Sequence, residues 1–172
     1  MSPLVALSVS IALLGGIATM LYQWQGLLIW AGFIAWAAFF GAGGDTAALK
    51  KTIAGNVFGA IVAWVAWVIL LSWPIEGSWW IPRNGVVVAV TVLILGLASR
   101  VELLSNLPAN VYGYAATFAA KSVVGRDVPG VAQVTGLHLD NPVINVTLSM
   151  VGGALLGLAS AKLAGALTAK KA

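Results

Sequence analysis

The stretch from Thr52 to Trp73, TIAGNVFGAIVAWVAWVILLSW, contains no charged residue, and several more runs like it follow one another along the chain. A hydrocarbon core about 30 Å thick is crossed by roughly 20 apolar residues of helix. With 60% hydrophobic and 8% charged residues in 172, the sequence consists almost wholly of such crossings. It reads as an all-α integral membrane protein with one transmembrane domain over residues 1–172 and no separate soluble domain.

The apolar segments fall at 3–22, 26–43, 52–72, 85–104, 107–124 and 142–166, a six-helix bundle whose termini return to one side. The N-terminal run lacks the basic start of a secretory signal and reads as the first crossing. Lys50, Lys51, Arg100, Lys162, Lys170 and Lys171 collect on one face of that threading, with only Arg83, Lys121 and Arg126 on the other. The positive-inside rule makes the first face cytoplasmic and places both termini there. On the opposite face, Trp24, Trp73, Trp79 and Trp80 fit an interfacial aromatic belt.

The fifth segment, 107–124, is short, with Pro108 at its start and Gly113 inside it. It reads as a full but irregular crossing; a re-entrant half-helix is the alternative, and broken backbone at membrane depth requires a cavity beside it. A weak internal repeat also passes through it. IAWAAFF from Ile34 to Phe40 and YGYAATF from Tyr112 to Phe118 share three of seven positions and align Trp36 with Tyr114. Each is followed by a glycine and aspartate turn, at Gly43-Gly44-Asp45 and Gly125-Arg126-Asp127. Two halves of three crossings run in opposite senses, which is the arrangement of inverted repeats.

The chemistry available is narrow. The chain has no cysteine, and His138, a loop residue, is the only histidine, so disulfides, thiolates, haem and zinc are poorly supported and no cofactor is called for. Asp45, Glu76, Glu102, Asp127 and Asp140 all sit in loops or near segment ends, away from the places where a proton relay would hold a carboxylate. Lys121 and Lys162 snorkel toward headgroups, and Arg100 and Glu102 read as interfacial, with gating of the cytoplasmic mouth as the alternative. Gly41-Ala42-Gly43-Gly44-Asp45 lacks the lysine and the preceding strand of a phosphate loop, and no hydrolase or metalloprotease motif occurs. The basic balance reflects topology rather than nucleic-acid binding, and the chain is not expected to be an enzyme.

Neutral hydrogen-bonding groups remain inside the crossings: Asn56, Thr91, Asn110, Tyr112, Tyr114, Thr117, Asn145, Thr147 and Ser149. An asparagine at this depth either presents its amide to a neutral permeant or joins helices. Asn56 and Asn145, one in the third segment of each half, are the strongest candidates for a solute, whereas Asn110, just after Pro108, reads as a cap or turn residue. Phe33, Trp36, Phe40, Tyr112, Tyr114 and Phe118 either ring a constriction or pack the bundle. Gly55 and Gly59, and Gly153 and Gly157, have the spacing of close helix contacts within a chain or between protomers.

WAAFFGAGGD from Trp36 to Asp45, KTIAGN from Lys51 to Asn56 and LPANVYGYAATF from Leu107 to Phe118 together resemble the bacterial inner-membrane family called domain of unknown function 1097. The resemblance implies a small multi-pass protein and brings no catalytic residues. Urea-type and short-chain amide channels are a looser likeness, of architecture alone.

The leading expectation is a homo-oligomeric channel or facilitator for a small neutral solute. In it Trp36, Phe40, Tyr114 and Phe118 form the constriction, with Tyr112 nearby, and Asn56 and Asn145 replace part of the solute's hydration. The alternatives are a non-transporting structural or assembly protein and a Na⁺-coupled carrier using backbone carbonyls near Pro108 and Gly113.

Overall fold

The computed structural model describes residues 1–75, 77–124 and 134–168, the side chains of 121–124 excepted. Glu76, Arg126, Asp127, Lys170 and Lys171, the side chain of Lys121, and most of the connection from Gly125 to Asn141 lie outside the described residues. Among the described residues the architecture is all-helical: α1 (Pro3–Gln25), α2 (Ile29–Gly41), α3 (Thr46–Ser72), α4 (Trp80–Ala98), α5 (Leu107–Val124) and α6 (Pro142–Thr168), with short 3-10 turns at Gly77–Trp79 and Glu102–Leu104.

Local chemistry sets the boundaries. Ser2 Oγ accepts from the Val5 N–H at 3.4 Å and Pro3 opens α1, where its missing N–H is no loss. Gly26 ends that helix in the left-handed region. Asp45 Oδ1 accepts from the Ala48 N–H at 2.7 Å and starts α3 at Thr46. The third helix therefore begins six residues before its apolar run and carries Lys50 and Lys51 in its own first turns. The fourth is also displaced from 85–104 toward the N-terminus, to Trp80–Ala98, because the backbone leaves the helix at Ser99 and forms the Glu102–Leu104 turn.

Four stretches, Pro3–Gln25, Thr46–Ser72, Gly77–Ala98 and Pro142–Thr168, are long and apolar enough to cross a bilayer. The surface agrees. Leu4, Leu13, Ile17 and Met20 on α1 and Val86, Val90, Leu93 and Leu97 on α4 are exposed, while the buried polar side chains are Ser, Thr and Asn. This reversal of the water-soluble pattern suits helices whose solvent is lipid. The remaining helices, α2 and α5, are the second of each half. At 1.5 Å per residue α2, with 13 residues, is only about 20 Å long. α5 runs unbroken through Gly113 and lies alongside α3, with Asn110 against Gly55 near its start and Phe118 packed at a tilt against Trp67 further on. It is one unbroken helix that travels parallel to α3.

The helix pairing reveals the repeat. α3 packs chiefly on α5 and α2 chiefly on α6; α1 also lies on α6 and α4 on α3. Exchanging each helix with the one three places along turns every one of these pairs into another on the same list, and leaves the α3–α6 pair unchanged. Particular atoms obey the same exchange. The alignment that pairs Trp36 with Tyr114 also pairs Gly32 with Asn110: a Cβ added to Gly153 would strike the Gly32 carbonyl oxygen, and one added to Gly59 would strike that of Asn110. α6 runs parallel to α2, since Ser149 meets Leu28 and Ser160 meets Trp36. α5 runs parallel to α3, and the halves are therefore inverted.

The halves are also interlocked. Each gives its third helix to the other, so the packed units are one trio of α1, α2 and α6 and another of α3, α4 and α5. Between them lies a core of Ala31, Ala35, Ala116, Ala120, Met150 and Ala154, with Leu49 and Ile53 of α3 packed against it.

Candidate functional site

Within each trio, hydrogen bonds and close glycine contacts tie the helices together. In the first, Tyr22 Oη donates to the Ser149 carbonyl at 2.8 Å, Ser10 Oγ to the Ser160 carbonyl at 3.0 Å, and Trp36 Nε1 to Ser160 Oγ at 3.0 Å. In the second, Tyr114 Oη and Thr91 Oγ1 are 2.8 Å apart, and Asn106 Nδ2 donates to Thr52 Oγ1 at 3.2 Å. Gly59 and Gly113 bring α3 and α5 into backbone contact, and Gly153 does so for α6 and α2. None of these links joins one trio to the other. The seam between the trios is packed largely by alanines, whose small side chains let helices approach closely, and at one end the Val134 carbonyl accepts from both Trp64 of α3 and Asn141 beside α6.

Asn56 stands on the α3 face that borders this seam, its backbone against Gly113 of α5. Leu49, Ile53, Asn56 and Ala60 follow one another at four-, three- and four-residue steps and so share one face of α3. Leu49 and Ile53 of that stripe pack against the seam core. Asn56 is 1% exposed, and neither its Oδ1 nor its Nδ2 has a hydrogen-bond partner among the described residues. The inverted relation that matches Gly59 with Gly153 matches Asn56 with Met150, three residues earlier on the facing helix, which belongs to the seam core. One half thus carries an amide where the other carries a thioether.

Asn145 differs in kind from Asn56. Its Nδ2 donates to the Gly26 carbonyl at 2.9 Å and the Leu139 carbonyl at 3.1 Å, and its Oδ1 accepts from Ser149 Oγ at 3.1 Å. It latches α6 to the α1–α2 connection. Both ends of its amide are thus engaged within the chain, unlike those of Asn56. Asn110, expected as a cap or turn residue, is instead a residue of the helix itself. It is fully buried in the second turn of α5, and its Nδ2 reaches the Leu104 carbonyl at 3.0 Å and Ser99 Oγ at 3.2 Å. Capping of α5 falls to Asn106, whose Oδ1 accepts from the Ala109 N–H at 3.3 Å.

The candidate aromatics do not converge on one ring. Trp36 is buried in the first trio and stacks on Phe33, while Phe40 meets Phe39 edge to face. Tyr114 and Phe118 pack on each other within the second trio at 4.9 Å, and Tyr112 is 40% exposed on the outside of α5. Arg100 and Glu102 are exposed in the connection between α4 and α5. Gly55, Gly59, Gly153 and Gly157 all face other helices of their own chain, which removes them from any contact between protomers.

Sequence reasoning missed Trp30, Ser160 and Asn106. An isolated tryptophan or serine in an apolar run carries no periodic signal, and its role depends on which helix arrives opposite.

The family profile for protein of unknown function DUF1097 matches residues 8–165. The chain belongs to the DUF1097 family. That match spans all six helices, from the second turn of α1 to the last turn of α6. No curated protein and no solved structure gives a significant match to this DUF1097 chain.

Proposed function

We propose that this DUF1097 protein is a facilitator that passes a small neutral solute across the membrane along the seam between its two trios. The observation that carries the reading is the Asn56 amide, enclosed beside an apolar seam with its donors and acceptor unused among the described residues. An unpaired buried amide is unfavourable by about 1–3 kcal/mol in proteins, and a ligand that supplies the missing bonds recovers that energy. Among the described residues every buried polar side chain is neutral, which fits an uncharged ligand better than an ion that would need a counter-charge. The inverted, interlocked halves support the same reading, because inverted repeats hold their substrates where the halves meet. In this reading the end bearing Lys50, Lys51 and Arg100 faces the bacterial cytoplasm.

Stopped-flow re-swelling of proteoliposomes challenged with urea, acetamide and glycerol tests it, with Asn56→Leu and Asn145→Leu beside the wild type. The wild type accelerates re-swelling without sodium, and Asn56→Leu changes the rate or the solute preference. Permeability equal to empty liposomes for every solute overturns the proposal and favours a non-transporting assembly role; a sodium requirement favours a coupled carrier.

A further inference from the structure

Asn56 has a counterpart on the other side of the seam. Trp30 of α2 packs its indole against the same alanine-rich core, and its Nε1 is enclosed with no acceptor among the described residues. A buried indole N–H ordinarily finds a partner. Two other tryptophans of this chain do: Trp36 donates to Ser160 Oγ, and Trp64 to the Val134 carbonyl at 2.7 Å.

Trp30 and Asn56 also share a depth. α2 and α3 are consecutive antiparallel helices joined by the turn from Ala42 to Asp45. Trp30 stands eleven residues before Gly41 at the end of α2, and Asn56 ten residues after Thr46 at the start of α3. At 1.5 Å per residue both lie about 15–17 Å from that turn. The first trio thus brings a pure donor from α2, and the second an amide from α3 that both donates and accepts, at one level; Asn110 Oδ1, also without a partner among the described residues, faces Gly55 of α3 inside the second trio.

We propose that Trp30 and Asn56 form a two-point binding site for small neutral molecules of the amide class. The ligand's carbonyl oxygen accepts from Trp30 Nε1, and its N–H donates to Asn56 Oδ1. The donor and acceptor must sit on different atoms of the ligand, since they answer to different helices; a carboxamide or a urea meets that requirement, and a simple ketone or ether does not. The inference rests on the facilitator reading for its consequence in transport, but the site is testable without transport.

The test uses the full chain in lipid nanodiscs, labelled with ¹⁵N in the tryptophan indoles and asparagine amides and titrated with acetamide and, separately, acetone. Trp30→Phe and Asn56→Leu assign the two resonances. Acetamide is expected to shift both saturably, and acetone to bind at least several-fold more weakly. In proteoliposomes Trp30→Phe, which keeps an aromatic ring and breaks no protein hydrogen bond, lowers acetamide flux roughly tenfold, about 1.4 kcal/mol. If neither resonance moves with acetamide, water alone occupies the seam and the inference is wrong, even where flux is observed. Saturable shifts without flux in the wild type uphold the site and reject the facilitator reading. Shifts that never saturate, or acetone binding as tightly as acetamide, overturn the two-point site.

Discussion

Gly59 of α3 rests directly on the backbone carbonyl of Asn110 in α5, with no room for a side chain between the two helices. Its inverted counterpart, Gly153, rests in the same way on Gly32. Alanine at either position must push apart the most extensive helix pair of its trio. Gly59→Ala and Gly153→Ala are each expected to destabilise by about 1–3 kcal/mol. Gly16→Ala, where the added methyl meets nothing, is expected to stay within about 0.5 kcal/mol of wild type. Thermal unfolding in detergent distinguishes the two classes.

The two asparagines first paired by their place in the sequence are predicted to part company under mutation. Asn145→Leu breaks two bonds to backbone carbonyls and strips Ser149 of an acceptor. Interhelical bonds of this kind contribute roughly 0.6–2 kcal/mol in membrane proteins, so the melting temperature falls. Asn56→Leu breaks no hydrogen bond and replaces a buried, unpaired amide by a hydrocarbon of similar size; its melting temperature is unchanged or raised. A large loss of stability in Asn56→Leu would show that the amide is bonded within the fold.

Trp36→Phe and Tyr114→Phe remove one donor each from the first and second trio. Ser160 Oγ still donates to the Gly157 carbonyl, and Thr91 Oγ1 still reaches the Val87 carbonyl, so each loss is limited to about 0.5–1.5 kcal/mol. Because the two bonds belong to different trios and share no partner, the double variant is expected to show the sum of the single effects within about 0.5 kcal/mol. A larger coupling measured in a double-mutant cycle would mean that the trios do not act as separate units.

Much of this was legible in the residues, and the reasons are physical. Long charge-free runs announce helices in lipid, and the likeness of IAWAAFF to YGYAATF announces two inverted halves. The start of α3 was hidden because Lys50 and Lys51 interrupt the apolar run, whereas the helix obeys the Asp45 cap. Asn56 and Asn145 are the same residue in similar apolar runs, and only the arrival of Gly26 and Leu139 opposite one of them separates a bonded amide from a buried, unbonded one. The glycine pairs announced close contact without naming the partner. Trp30 gave no signal, because an indole near the start of an apolar helix looks the same whether or not its N–H is met.

Arg83 illustrates how a charge at a helix end serves the backbone as well as topology. Its guanidinium donates to the carbonyls of Leu70, at 3.3 Å, and Trp73, and is steadied by Asn84 Oδ1 at 3.0 Å. Those carbonyls belong to the C-terminal end of α3, where helical partners run out and the helix dipole favours a cation. Arg83→Leu leaves them to find water or lipid headgroups. The group is only partly buried and the contacts are local, so global unfolding should move little, by less than about 1 kcal/mol. The last turn of α3 should open instead. Hydrogen exchange is expected to quicken for the amides from Leu70 to Trp73 while those around Gly59 keep wild-type protection, and Arg83→Lys should restore part of the difference because the cation returns without the second and third donors. Equal exchange in Arg83→Leu and wild type would show that the α3 terminus is held by its packing alone.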